Sequence, residues 1–245
     1  SGPKHTRAGQ QMKLLCGLDD CLGTYRCGQM AATVHQLADT LGRAVDAKDK
    51  RLFEHSVLTA DLASILALAH GLSAKQADVI HIAGHLHDIG KIGIPDAVLL
   101  KPGRLNAADW ALIREHPATG AEILKPIGLF ATRGGVAEMV LSHHEAFDGG
   151  GYPRGLSGKD IPLGGRILAV ADSLAAMLEK RVYSPAMTFA QALGELERCV
   201  GTRYDPDVCR DLFRNEGEIG HVLAAQGAGS FGSGDARREP VAAGC

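Results

Sequence analysis

Seven side chains of the kind that hold transition metals, five imidazoles and two carboxylates, recur along this chain at a nearly constant interval. They are His55, His87, Asp88, His116, His143, His144 and Asp172. The steps are 32 residues from His55 to His87, 28 from Asp88 to His116, 27 from His116 to His143 and 28 from His144 to Asp172. Roughly thirty residues is one helix out and one helix back in an antiparallel bundle, so each return can bring a ligand to the same layer. Asp88 follows an apolar stretch (Val79, Ile80, Ile82, Ala83, Leu86), and Asp172 lies in Ile167–Met177, which is apolar nearly all round. An isolated charge in such surroundings is costly, and a cation would remove the cost. Imidazole and carboxylate donors without thiolate suit iron, manganese, zinc, nickel or cobalt rather than calcium. The adjacent His143 and His144 suit two neighbouring ions better than one.

Two divalent ions held by two aspartates keep net positive charge, which suits a phosphate group. Ions about 3.5–4 Å apart would lower the pKa of a bridging water and clamp the attacked phosphoryl group. Lys91, three residues after Asp88, is placed to neutralise charge that develops on phosphate oxygens. Of the other six histidines, those at 35, 70, 81, 85 and 221 read as structural; His85 in particular lies two residues before His87, a poor spacing for sharing one helical face.

The elements that must position these residues read as helices. Val34, Leu37, Leu41 and Val45 recur at three and four, which predicts an amphipathic helix from Met30 to about Ala47. The charged break Lys48-Asp49-Lys50-Arg51 precedes a second helix, about Leu52 to His70, stopped by Gly71. Ser73 is a good N-cap for a third helix ending at His87-Asp88. Pro95, Pro102 and Gly103 mark a long loop after Lys91. Asn106 caps a short helix to Glu115, Pro117 can open the next to about Leu124, and Gly134–Ser142 reads as another. Asp148-Gly149-Gly150-Gly151-Tyr152-Pro153 is a loop. Arg166–Glu179 is a strongly apolar helix, followed by Phe189–Val200 and Asp207–Arg214. No segment of any length has strand period. The expected fold is therefore all-α: a helical bundle of about seven or eight helices.

The expected divisions are an irregular segment at 1–27, an N-terminal helix or linker at 28–47, a catalytic domain at 48–216 and a disordered tail at 217–245. The last follows from a Gly, Ala, Ser and Arg composition without period. A net charge of -2 gives no sign of a nucleic-acid polymer as partner. No run approaches the roughly 18 apolar residues of a membrane span, and the start lacks the apolar core of a secretory signal. The six cysteines do not read as a disulfide framework. Cys16, Cys21 and Cys27 match no zinc spacing, so reduced thiols and a cytoplasmic location are expected.

From about Lys48 to Phe213 the sequence resembles the HD-GYP family, a subgroup of the HD-domain metal-dependent phosphohydrolases. Three stretches carry the resemblance: His87-Asp88-Ile89-Gly90-Lys91-Ile92-Gly93-Ile94-Pro95-Asp96 with Lys101-Pro102-Gly103; His143-His144-Glu145 with Asp148–Pro153; and Ile161-Pro162-Leu163 through Arg166-Ile167 to Asp172 and Arg181-Val182-Tyr183. The resemblance implies a bacterial signalling phosphodiesterase that cuts cyclic di-GMP to linear pGpG, and further to GMP, through a metal-bridging hydroxide. It implies two divalent ions, commonly iron or manganese, at His55, His87, Asp88, His116, His143, His144 and Asp172, with Asp88 bridging. It assigns catalysis to Asp88 and Lys91. Lys91 and Arg181 match positions that contact substrate phosphate, and Gly151, Tyr152 and Pro153 form the Gly-rich loop near substrate or a partner surface. That partner would be a diguanylate cyclase or another signalling protein.

Departures from the family pattern set alternatives. Ser184 stands where the family often has a cation, and Lys50 and Arg51 occupy the neighbourhood of a glutamate that serves a third ion in some members. Glu54 and Ala175 also differ from frequent family residues. The alternatives are a module that binds cyclic di-GMP or docks proteins without useful turnover, or a hydrolase of another cyclic dinucleotide. Glu145 could orient a ligating histidine or lie on the surface.

Overall fold

The structure, a computed structural model, describes residues 24–48, 55–179 and 186–225. Its helices are α1 (Thr24–Lys48), α2 (His55–Ala69), α3 (Ala74–Leu86), α4 (Asp96–Leu99), α5 (Ala107–Ile113), α6 (His116–Leu124), α7 (Val136–Ser142), α8 (Leu163–Leu178), α9 (Phe189–Arg198), α10 (Pro206–Arg214) and α11 (Glu216–Ala225). Short 3-10 turns stand at Ile89–Gly93 and Gly158–Asp160. The all-α expectation is met. Among the described residues the one β feature is an isolated bridge between Val200 and Tyr204.

The expected caps at Ser73 and Asn106 form, and Thr188 adds a third. Ser73, Asn106 and Thr188 each accept from the backbone N–H three residues on, and Gln76, Asp109 and Gln191 reach back to the cap. Such a reciprocal pair satisfies two donors that a helix start leaves unpaired. The apolar helix α8 is the centre of the bundle. Ile167, Leu168, Val170, Ala171, Leu174 and Ala175 have no exposed surface, and α2, α3, α7, α9 and α10 all pack against it. Asp172 is therefore on a helix whose core face is fully shielded, while its own side chain keeps 16% exposure.

Two sequence expectations change. The long loop after Lys91 contains the 3-10 turn and the one-turn helix α4, so more helical segments are present than the seven or eight expected. The tail expected from Gly217 begins instead as α11, whose Ile219 and Leu223 are buried one turn apart. Composition hid this because two buried side chains suffice to dock a short helix, too few to register as a periodic pattern. Cysteine behaves in two ways. Cys209 is a free buried thiol that burial pushes up to about 12, whereas Cys199 is disulfide-bonded; the expectation of reduced thiols concerned Cys16, Cys21 and Cys27. Cys16 and Cys21 lie outside the described residues, as does the side chain of Cys27. No helix among the described residues is long and apolar enough to cross a membrane.

Candidate metal centre

Helix ends deliver most of the metal-type side chains. His87 follows α3, His143 follows α7 and His116 opens α6 directly after α5. A helix leaves its last carbonyls without intrahelical donors, and each of these histidines uses one. His87 Nδ1 lies 2.7 Å from Gly84 O, His116 Nδ1 2.7 Å from Ile113 O and His143 Nδ1 2.7 Å from Val140 O. A carbonyl can only accept, so in each ring Nδ1–H donates, and in the neutral ring Nε2 carries the lone pair. His116 and His143 then turn Nε2 toward each other, and His87 turns Nε2 toward Asp88. His116 Nε2 and His143 Nε2 stand 3.3 Å apart, two acceptors face to face.

Asp88 lies between the rings. Its Oδ1 is 3.2 Å from His116 Nε2, and its Oδ2 is 3.3 Å from His87 Nε2 and takes a hydrogen bond from Lys91 Nζ. Asp172 Oδ1 reaches His55 Nε2 at 3.0 Å and lies 3.7 Å from His87 Nε2. The donors fall into two sets, His55, His87 and Asp88 in one and His116, His143 and His144 in the other, each close enough to surround one ion. Asp88 turns one oxygen toward each set.

A cation fits this chemistry. His87 Nε2 is fully buried and has no hydrogen-bond partner, a costly condition for a polar atom. It faces carboxylate oxygens of Asp88 and Asp172. Burial would lower the ring, but these carboxylates raise it above its ordinary imidazole value, so the position favours positive charge, whether a proton or a metal ion. Two nitrogens bound at about 2.0–2.1 Å to one tetrahedral ion lie roughly 3.3–3.4 Å apart, which is the spacing of His116 and His143. Burial, reinforced by His87 and His116, lowers His143 to about 3, and burial with His143 holds His144 well below the usual imidazole range. Both rings are thereby kept as neutral donors. Burial would raise Asp88, but Lys91 and His87 outweigh it and hold the carboxyl well below its ordinary value. Burial would likewise lower His55, but Asp172 and Glu179 hold it up, at about 10. This ring is gripped by carboxylates on both nitrogens.

All seven sequence-predicted donors meet at the centre, and Lys91 is beside them. Tyr152 joins them: its ring stacks on His144 with centroids 4.9 Å apart, and the Arg114 guanidinium lies over the same ring, 5.3 Å from the centroid. Gly151 is a close-approach position, since a Cβ there would sit 2.1 Å from Ala146 N. Pro153 is exposed beside it. Arg181, Tyr183 and Ser184 lie outside the described residues, as do Lys50, Arg51 and Glu54.

Sequence reasoning missed four contributors. Glu179, the residue after α8, bonds His55 Nδ1 at 3.1 Å. Asp46 on α1 is buried and accepts from Ser56 N at 3.0 Å and Ser56 Oγ at 2.6 Å, fixing the start of α2 where His55 stands. Lys48 Nζ, also on α1, binds the carbonyls of Lys91, Ile92 and Ile94 at 3.3, 3.1 and 2.7 Å, holding the turn that carries Lys91. Arg114 is the fourth. Glu145 is neither a surface residue nor bonded to a histidine: it is 3% exposed and accepts from Arg154 N and Leu156 N at 2.8 and 3.0 Å. It anchors the Gly-rich loop instead.

A family model described as HD domain matches residues 39–208. The chain is similar to a cyclic di-GMP phosphodiesterase of Thermotoga maritima, 37% identical over 187 residues that make up 76% of this chain and 50% of that protein. It is equally similar to the 3'3'-cGAMP-specific phosphodiesterase 2 of Vibrio cholerae, 37% identical over 194 residues, 79% of this chain and 37% of the relative. Among solved structures, a cyclic GMP-AMP-specific phosphodiesterase of Vibrio cholerae superposes with a TM-score of 0.61 at 19% identity, covering 78% of this chain and 50% of that one. The fold is shared with it. The chain spans half or less of the length of these relatives.

Proposed function

The chain belongs to the HD domain family, and from that premise we propose that it is a metal-dependent phosphodiesterase that opens cyclic di-GMP to linear pGpG and proceeds to GMP. The observation that carries this reading is the pair of donor sets joined through Asp88, with the Lys91 ammonium on the same carboxylate. His55, His87, Asp88 and Asp172 would hold one divalent ion, and Asp88, His116, His143 and His144 the other, iron or manganese being best suited. When bound, such ions polarise a phosphate and acidify water.

The chain's own residues do the rest. The helix-end carbonyls fix the tautomers of three rings, so the donor lone pairs are set before substrate arrives. Lys91 supplies a cation within reach of phosphate oxygens as their charge grows, and Arg181 is a second cation by family resemblance. The Tyr152 ring, in contact with both His144 and Arg114, offers an aromatic wall at the edge of the centre. Glu145 keeps that wall in place by anchoring the loop backbone.

The test is to incubate the purified full chain with cyclic di-GMP and Mn²⁺ or Fe²⁺ under reducing conditions, with metal and products measured together. pGpG and GMP are expected. Intact nucleotide on a chain carrying two ions rejects the enzyme reading in favour of a module that holds the nucleotide or docks diguanylate cyclases through the Gly-Tyr-Pro loop. A second substrate has specific support, because the cGAMP-specific relative is as similar as the cyclic di-GMP one. Comparing kcat/KM for the two dinucleotides decides between them.

A further inference from the structure

Three histidines that take no part in the candidate centre meet where α1 packs on α3. His35 and Asp39 are one turn apart on α1, and His81 and His85 one turn apart on α3. Each helix thus turns a pair spaced by four residues toward the other. The His35 and His81 ring centroids are 5.3 Å apart, and those of His81 and His85 4.7 Å. Asp61 on α2 takes a hydrogen bond from His81 Nε2 at 3.1 Å. A carboxylate that orients a histidine in this way leaves Nδ1 with its lone pair. That Nδ1 faces His35 Nδ1 at 3.3 Å, the spacing of two nitrogens on one tetrahedral ion. A second observation is independent of this pair. His85 is 5% exposed, and its Nδ1 is a buried polar atom without a hydrogen-bond partner, 3.8 Å from Asp39 Oδ1.

We propose that His35 and His81, joined through side-chain rotation by His85 and Asp39, form a second metal site that takes one divalent transition ion of the zinc class and clamps α1 onto α3. The donor set of three imidazoles and a carboxylate suits such an ion. Asp39 exchanges its exposed ion pair with Arg43, at 2.8 Å, for the cation. The site is separate from the centre formed by His55, His87 and their partners, and it stands whether or not that centre cuts a cyclic dinucleotide.

Zinc alone is the probe. The metal-free full chain is titrated with Zn²⁺ and bound metal counted, for wild type and for His35→Gln/His81→Gln. The wild type is expected to hold one more tightly bound ion than the variant. Equal stoichiometry, or an extra ion seen only at millimolar zinc, overturns the proposal. A measurement on the wild type alone covers a variant that fails to fold: ring ¹⁵N shifts of His35 and His81. Both Nδ1 signals should move to metal-ligated positions as zinc is added. If His35 and His81 keep donor and acceptor Nδ1 signals at full metal loading, the pair is a hydrogen bond and the site does not exist.

Discussion

At the scale of single residues, the centre depends on side chains whose partners come from other elements. Asp172 is the only carboxylate that α8 sends to it, and it holds His55 Nε2 at 3.0 Å. Asp172→Ala should therefore lose at least one ion, measured by metal analysis of the purified protein; full occupancy would remove Asp172 from the ligand set. Glu145 makes a different prediction. Its carboxylate satisfies two partly buried backbone N–H groups of the Gly-rich loop, and hydrogen bonds of this kind contribute on the order of 1 kcal/mol each. Glu145→Ala should lower the urea midpoint by a corresponding amount. Because the loop carries Tyr152, KM for the nucleotide should rise more than kcat falls.

At the scale of elements, the decisive fits are backbone contacts. Gly90 lies in the 3-10 turn beside Lys91, and a Cβ there would come within 1.9 Å of His116 O and 2.6 Å of Gly120 N. Neither is a flexible side-chain end, so α6 or the turn must shift. Gly90→Ala should therefore reduce metal loading and activity together, with the helical circular dichroism retained; normal loading would show that the two elements can separate without cost to the centre. The α1–α3 contact yields a pH effect. Burial, with His81 close by, lowers His35 below its ordinary 6.5. A value lower in the folded state means that the unfolded chain takes up the proton first. Stability from this contact is then complete above about 6.5 and is lost as pH falls through that value toward the folded one. Thermal melts in the presence of chelator should show wild type losing more between pH 7.5 and 5.5 than His35→Gln.

At the scale of the whole molecule, α11 closes the bundle at the end of the described chain. Removing everything after Asn215 uncovers the surface against which Ile219 and Leu223 are buried. Each fully buried aliphatic side chain is worth about 1.5–3 kcal/mol, so the truncated chain should melt several degrees lower. An unchanged melt would mean that α11 is peripheral. The seven donors, their spacing and the all-helical bundle were legible in the sequence by itself, because a buried carboxylate or imidazole in an apolar helix stands out against its local pattern, and caps such as Ser73 act within four residues. What only the tertiary structure decided is how those donors are held. His55 and Glu179 are 124 residues apart, and Lys48 meets the Lys91 turn across 43. The helix ends that lend carbonyls to His87, His116 and His143 become a single device only when three helices stop at the same layer. The same holds for His35, His81 and His85, which read one by one as structural residues: local pattern reports burial, while the meeting of α1 with α3 sets one imidazole nitrogen against another.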